Sequence, residues 1–205
     1  MKSKVFAMAL VLGLSSLWAC GDDDDAPAST TTLTTTQAES VAEVFSGSLG
    51  TILDFDTSAK LPIRVRAAET HAVSTTKNCD GSGTKTVTGE TNVSDESETS
   101  AKGSFNVTET YTACLDSPDS TSAPIITGSV NTTGDFNLTF PPLAGSVNMK
   151  INGSVDVSGD GVTGGTCGVS VNVKVTAAEN VITLVFSGSV CGTTVSGTTT
   201  ENVDS

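Results

Sequence analysis

Cysteine is the reactive residue whose number and spacing say most about this chain of 205 residues. Five cysteines are present, and the first, Cys20, stands apart at the end of an N-terminal apolar segment. The other four lie far apart in the sequence, whereas zinc sites typically place paired cysteines about two to four residues from each other. An even number of cysteines in an exported chain is typical of disulfide bonds. We therefore expect two disulfides and no metal site from Cys79, Cys114, Cys167 and Cys191.

The last two cysteines favour one pairing among the three that four cysteines allow. A hairpin that turns at 178–180 would place Cys167 directly opposite Cys191. Opposed residues on neighbouring antiparallel strands are close enough for a disulfide. We expect this pair together with Cys79–Cys114. In that register the bulkier side chains of the second strand would face the other side of the sheet. Either the register shifts by one residue or both faces of the hairpin are covered.

The residues on which common enzymes depend are nearly absent. His71 is the only histidine, and it lies in a strand-like segment, which is typical of a surface or cross-strand residue rather than a general base. The chain has no G-x-S-x-G elbow, P-loop or H-E-x-x-H motif. Asp95, Glu96 and Glu98 cluster in a Ser/Thr-rich turn, where solvent prevents a shielded acid/base pair. We expect a protein that is not an enzyme and uses no cofactor.

One segment invites comparison with a metal site. Residues 156–161 read DVSGDG, which resembles the opening of a calcium-binding loop. The twelfth position of such a loop supplies a bidentate acid, but that position is Cys167 here. Asp160 and Gly161 also form a favoured pair for a tight hairpin turn. The sequence therefore favours a turn without a bound metal.

The first 19 residues predict export. Lys2 and Lys4 precede an uncharged apolar run over 5–19, which is typical of a secretory signal peptide and short for a membrane-spanning helix. The run ends in Leu17-Trp18-Ala19-Cys20, which resembles the lipobox of bacterial lipoproteins. The resemblance implies that Cys20 becomes the mature N-terminus and carries acyl chains, which anchor a protein stably to a membrane.

The residue after Cys20 indicates in which bacterial membrane the protein resides. Gly21 stands where aspartate would favour retention at the inner membrane, so the resemblance implies the outer membrane. The acidic run Asp22–Asp25 resembles surface-export tags, although a solvated spacer is the simpler interpretation. Whether the domain faces the periplasm or the cell surface stays open at this point. The membrane, reached through the lipid on Cys20, is the one partner that these residues imply.

Charge excludes one class of partner. Without the two lysines of the leader, the chain keeps 8 of its 10 basic residues against 23 acidic ones, a formal charge of −15. Such an excess of acid repels the phosphate backbone of DNA and RNA. We expect no nucleic-acid partner.

The mature chain divides into a spacer and one domain. Residues 20–35 are acidic and Thr-rich, which is typical of a flexible tether. Thr36-Gln37-Ala38-Glu39 matches a capping box and predicts the start of an amphipathic helix over 36–54. The apolar stripe of this helix is expected to pack on the rest of a single domain over 36–205.

The remainder of the chain predicts strands. Apolar and polar residues alternate, most clearly over 126–140 and 147–157, which is typical of antiparallel sheets with one buried face. Long, twisted strands tend to curl. We therefore expect an all-β domain, a curled antiparallel meander of about eight strands forming a half-barrel, a closed barrel or a sandwich, with the helix packed on it. The expected strands cover 70–78, 84–93, 101–113, 126–140, 147–157, 162–176, 181–190 and 193–200.

The apolar side chains of the central strands have two alternative roles. They form the core of a non-catalytic structural or binding domain, or they line the cavity of a carrier for a hydrophobic ligand such as a lipid. We favour the core, because a filled interior is usual in small barrels and sandwiches. A continuous void above about 300 Å³ would favour the carrier. The residues concerned are Val130, Phe136, Leu138, Phe140, Val147, Met149 and Ile151.

Overall fold

The computed structural model describes one helix followed by eight strands. The described residues are 27–46, 69–97, 99–115, 124–139, 143–159, 161–178 and 181–202. The elements are α1 (Thr35–Ser46), β1 (Glu69–Asn78), β2 (Ser82–Ser97), β3 (Ser100–Leu115), β4 (Ile125–Thr139), β5 (Ala144–Ser158), β6 (Gly165–Ala178), β7 (Val181–Val190) and β8 (Thr193–Asn202).

All eight strands belong to one sheet. Each strand pairs antiparallel with the next one along the chain, in the order β1 to β8. The sheet is not closed into a barrel. The prediction of an all-β antiparallel meander with an N-terminal helix is therefore confirmed. Of the three architectures that the sequence allows, the single open sheet rules out the closed barrel and the two-sheet sandwich.

Alternating burial explains why this pairing is stable. In β3 the side chains of Phe105, Val107, Glu109 and Tyr111 are buried, whereas Asn106, Thr108 and Thr110 between them are exposed. The pattern continues in β4, where Val130 and Phe136 are buried on the same face. Because side chains alternate with a period of two, a shift by one residue would expose the whole apolar set. Hydrophobic burial therefore fixes the register of the central strands.

Glycines on the buried face make room for phenylalanines of the neighbouring strand. A Cβ atom at Gly134 would come within 2.5 Å of Cζ of Phe105, and one at Gly103 within 2.6 Å of Cζ of Phe136. In the β3–β4 register, Gly134 pairs directly with Phe105, and Gly103 pairs directly with Phe136. Glycines covered by aromatic rings allow a sheet to bend while its buried face stays filled.

The β6–β7 hairpin uses a register one residue away from the one that would place Cys167 opposite Cys191. Val173 pairs with Phe186 instead. This register keeps the ring of Phe186 on the buried face, where 5% of the residue is exposed, together with half-buried Leu184. Burying large apolar side chains contributes more than the opposed placement of one cysteine pair. The shift is the first of the two alternatives that the sequence leaves open.

Helix α1 begins earlier than the predicted capping box at Thr36. Thr34 Oγ1 accepts a bond from the Gln37 N–H (3.3 Å), and Gln37 Oε1 accepts one from the Thr34 N–H (3.1 Å). A cap at Thr34 places Leu33 and Ala38, both buried, at the two positions of a hydrophobic staple. The cap therefore lies two residues before the predicted one. The last part of the predicted helix, 47–54, lies outside the described residues.

Replacing Thr34 by Ala is expected to lower the free energy of unfolding by about 1 kcal/mol, because the Gln37 N–H loses its acceptor. Thr36→Ala is the matched control, since Thr36 is exposed in the first turn and should change stability by less than about 0.5 kcal/mol. Urea unfolding followed by far-ultraviolet circular dichroism measures both values. A larger loss for Thr36→Ala than for Thr34→Ala would contradict the observed cap.

Candidate functional site

The segment before α1 is bonded to the sheet. The first four residues of β6 extend beyond the end of β7 and need other partners for their backbone groups. Thr30 N–H donates to Thr166 O (2.8 Å), and Thr166 N–H donates to Thr30 Oγ1 (2.9 Å). Gly168 N–H donates to Ser29 Oγ (2.9 Å). The segment thus takes the place that a longer β7 would occupy.

This docking changes the extent of the expected tether. Leu33 is buried, and its carbonyl accepts a bond from Thr193 Oγ1 at the start of β8 (2.9 Å). Residues 29–35 therefore belong to the folded domain, although their composition predicts a flexible spacer. The composition of this segment does not reveal the docking, because Ser and Thr side chains hydrogen-bond to the backbone of an unpaired strand as readily as to water. Residues 20–26 lie outside the described part of the chain.

Both disulfides lie at one end of the sheet, which we call the disulfide end. Cys79 follows β1 and is joined to Cys114 near the end of β3, with 5.6 Å between Cα atoms. Cys167 in β6 is joined to Cys191, which follows β7, with 4.4 Å between Cα atoms. Neighbouring strands run in opposite directions, so the C-terminal ends of β1, β3 and β7 lie at the same end of the sheet as the N-terminal end of β6. The docked segment before α1 lies at the same end.

The pairing of Cys167 with Cys191 has a different cause from the predicted one. The last residue pair of the β6–β7 ladder is Val169 with Val190, so both cysteines lie just beyond the ladder. Cys191 has a φ of +51°, in the left-handed region, and its N–H donates to Gly168 O (2.8 Å). The turn after β7 therefore folds back over β6. That turn, rather than direct opposition across the hairpin, brings the two cysteines together.

The residues named as core or ligand-lining are almost entirely enclosed. A side chain that lines a void large enough for water keeps accessible surface. The six described members of the set are between 0% and 5% exposed, which favours the core interpretation. Phe140 lies outside the described residues. The six are Val130, Phe136, Leu138, Val147, Met149 and Ile151.

A polar cluster lies within this apolar face. Glu109 of β3 is fully buried at 0% exposure. Tyr111 Oη donates to its Oε2 (2.7 Å), and Thr132 Oγ1 of β4 donates to its Oε1 (2.7 Å). The ring of Phe45 in α1 packs edge-on against Tyr111, with 5.4 Å between ring centroids. Two hydroxyl donors to one carboxylate reduce the penalty of burying it.

Sequence reasoning missed Glu109, although a signal was present. It lies in phase with Phe105, Val107 and Tyr111 in an alternating strand, so the register that buries these three also buries the acid. An acid in the apolar phase of a strand predicts a buried polar contact. Its partner Thr132 carries the same signal in β4, in phase with Val130.

The opposite face of the sheet carries an open groove of about 430 Å³, which we call the outer groove. The side chains that line it form two adjacent rows across β4 to β7. One row is Asp135, Asn148, Lys174 and Val185, and the other is Thr133, Lys150, Asn172 and Ser187. Each row joins residues from four successive strands, so it depends on the register of three strand pairings.

Charge and hydrogen bonding are unevenly distributed over the outer groove. Two lysines, Lys150 and Lys174, face one acid, Asp135. Asn148 Nδ2 donates to Asp135 Oδ2 (3.1 Å), which orients both side chains. Val185 is 42% exposed and supplies an apolar patch at one side. The groove is therefore locally cationic on a protein whose formal charge is −13.

The other residues considered for chemistry are dispersed. His71 is exposed on β1 opposite Thr91, and Asp95 is exposed on β2. In the ranges that the structure describes, no three His, Cys, Asp or Glu side chains come close enough to hold a metal ion. Within the same ranges, no helix is both long and apolar enough to cross a membrane.

The DVSGDG segment forms the connection between β5 and β6. Asp156 lies in β5, and its Oδ1 accepts a bond from Thr166 Oγ1 (3.1 Å). Val162 N–H donates to Gly159 O (3.2 Å), which closes a turn. Asp160 itself lies outside the described residues. The chain therefore turns between Gly159 and Val162, where the sequence predicts a turn.

No protein-family model, curated protein or solved structure matches this chain. Function is therefore argued from the geometry of its own residues.

Proposed function

We propose that this chain is a bacterial envelope lipoprotein, held in the outer membrane by lipid on Cys20, with a β domain that binds or supports a partner without catalysis. The observation that carries the proposal is the state of the cysteines. Four of the five form two disulfides, which leaves Cys20 of the lipobox-like segment for acylation. Disulfides persist in oxidising compartments outside the cytoplasm, where lipoproteins reside.

The position of the docked segment supports a short connection between the lipid on Cys20 and the β domain. Pro27 lies against Gly168 at the disulfide end. Cys20 is seven residues earlier, and a fully extended chain of that length spans at most about 25 Å. A lipid on Cys20 would hold the disulfide end towards the membrane. Asp22–Asp25 lie within this connection, and their charge would keep it away from anionic lipid headgroups.

The buried cluster supports a non-catalytic role. Glu109 is the one carboxylate among the fully buried described side chains, and both of its oxygens accept hydroxyl bonds. A catalytic acid or base must reach a substrate within hydrogen-bond distance. A carboxylate enclosed at 0% exposure lacks that access, so we assign it to the stability of the core.

Cys20→Ser, exported under an ordinary secretory leader with its own cleavage site, is expected to move from the membrane fraction to the soluble fraction of the cell envelope, because the acyl chains are lost. Fractionation of cells grown with an alkyne-labelled fatty acid measures location and acylation together. The double variant Cys79→Ser/Cys114→Ser is the control, since it also removes cysteines but keeps Cys20, and it should stay labelled and membrane-bound. An unlabelled wild-type protein, or a membrane-bound Cys20→Ser variant, would overturn the proposal.

A further inference from the structure

We propose that the outer groove binds a phosphorylated sugar, with the phosphoryl group between Lys150 and Lys174 and the sugar hydroxyls at Asn148 and Asp135. This inference goes beyond the proposed anchoring and does not depend on it. It assigns a ligand to a face of the sheet that neither the helix nor the buried core uses.

The two lysines are placed to bracket a dianion. Lys150 pairs with Asn172, and Lys174 pairs with Asn148, so the lysines are diagonal neighbours on β5 and β6. Diagonal neighbours in antiparallel strands lie about 7 to 8 Å apart, and long side chains close that gap. Two ammonium groups can then donate to oxygens of one phosphoryl group, and hydrogen bonds between ionised partners are the strong ones.

Local charge outweighs the acidity of the whole chain at this site. At physiological ionic strength, exposed charges are screened beyond about 8 Å. A ligand in the outer groove therefore senses mainly Lys150, Lys174 and Asp135, together with Lys102, the diagonal neighbour of Asp135 on β3. Their sum is positive, whereas the formal charge of the chain is −13. A compact anion fits this site better than a long anionic polymer, which would also meet the acidic surroundings.

The polar groups beside the lysines suit hydroxyl groups. The bond from Asn148 to Asp135 uses one amide hydrogen and one carboxylate oxygen. The amide oxygen and the second carboxylate oxygen remain as acceptors at the groove. Sugar hydroxyls both donate and accept, so they can bind the carboxylate and Asn172 in the neighbouring row. Val185, exposed at the edge, offers a surface to the C–H side of a sugar ring.

Size and composition narrow the ligand class. The groove volume of about 430 Å³ lies in the range of small-molecule sites, about 300 to 1,000 Å³. No aromatic side chain lines it among the described residues. A nucleotide base would lack a ring on which to stack. A sugar phosphate needs no such ring when charge and amide groups hold it.

The test is isothermal titration calorimetry of the protein as purified from the producing cells, in detergent micelles at low salt, whether or not Cys20 carries lipid. The probes are glucose 6-phosphate, galactose 1-phosphate and N-acetylglucosamine 1-phosphate, with glucose and inorganic phosphate as separate probes. We expect saturable binding of at least one sugar phosphate and much weaker binding of glucose or phosphate alone. Lys150→Gln/Lys174→Gln should weaken binding about tenfold or more. Lys102→Gln, on the same face but outside the groove, should weaken binding by less than about twofold, because only its screened charge reaches the ligand.

Each alternative result has a fixed meaning. Saturable binding of none of the three sugar phosphates overturns the proposal. Equal affinity for inorganic phosphate and a sugar phosphate also overturns it, because the groove is then an anion site only. An equal loss with Lys102→Gln places binding outside the groove. Unchanged binding in the Lys150→Gln/Lys174→Gln variant also places binding outside the groove and overturns the proposal. Far-ultraviolet circular dichroism confirms that the variants are folded, which is expected because all three lysines lie on the polar face.

Discussion

Replacing Glu109 by Ala is expected to lower the free energy of unfolding by about 3 to 5 kcal/mol. The substitution leaves the hydroxyls of Tyr111 and Thr132 without their acceptor in a buried environment. It also leaves a cavity in the centre of the apolar face, where Glu109 is 0% exposed. Both effects add, because neither hydroxyl can turn towards water.

Partial changes separate these two effects. Glu109→Gln keeps the size of the side chain and one acceptor oxygen, so the expected loss is about 1 to 2 kcal/mol. Tyr111→Phe and Thr132→Val each remove one donor and should cost about 1 kcal/mol or more, since the carboxylate stays buried with one bond fewer. A double-mutant cycle between Glu109 and Tyr111 measures their coupling directly.

Urea unfolding monitored by circular dichroism provides the measurement. Tyr111 is the only tyrosine of the chain, and the single tryptophan, Trp18, lies in the predicted leader, so in a protein without residues 1–19 the aromatic signal near 280 nm reports mainly on this cluster. Glu90→Ala is the control, because Glu90 is an exposed acid on the neighbouring strand and should change stability by less than about 0.5 kcal/mol. A Glu109→Ala variant as stable as the Glu90→Ala variant would show that the carboxylate is not held in the core.

The strands follow from the sequence because their signal is local. Alternation with a period of two is visible within each segment, and the predicted bounds of β7 coincide with those observed, Val181–Val190. Turn residues between the segments fix the order of strands in a meander, since antiparallel neighbours need only short connections. Fold class and topology therefore depend on neighbouring residues alone.

The features that escaped prediction depend on residues distant in sequence. The outer groove brings Asp135 and Lys174 into one row through two successive strand pairings. A shift of either register by one residue would place Lys174 on the face of the sheet opposite to Asp135. The docking of Ser29 and Thr30 depends on β7 being shorter than β6. Periodicity within one segment carries no information on either feature.

Removing the Cys79–Cys114 bond is expected to lower the free energy of unfolding by about 4 kcal/mol. The bond closes a loop of 35 residues, and the entropy that such a crosslink removes from the unfolded chain grows with the logarithm of loop length. The Cys167–Cys191 bond closes 24 residues and should contribute slightly less, about 3.5 kcal/mol. Double Cys→Ala variants of each pair, unfolded in urea, measure both values.

Reduction of the wild-type protein is the matched control for these variants. The reduced protein keeps all four sulfur atoms, so it loses the crosslink without losing the packing of the side chains. If the crosslink dominates, reduction should remove nearly as much stability as the alanine variants do. A small effect of reduction beside a large effect of the Cys167→Ala/Cys191→Ala variant would attribute that bond's contribution to packing, since both cysteines are 0% exposed.

Removal of the two disulfides should also increase local opening in different parts of the sheet. Among the described strands, β1 pairs only with β2, so Cys79–Cys114 ties an edge strand to β3 across that single neighbour. Cys167–Cys191 joins β6, which pairs on both sides, to the turn between β7 and β8. Amide hydrogen exchange should therefore rise most in β1 when the first bond is removed, because edge strands open at low cost in free energy. An equal rise along all eight strands would instead mean that the sheet opens only as one cooperative unit.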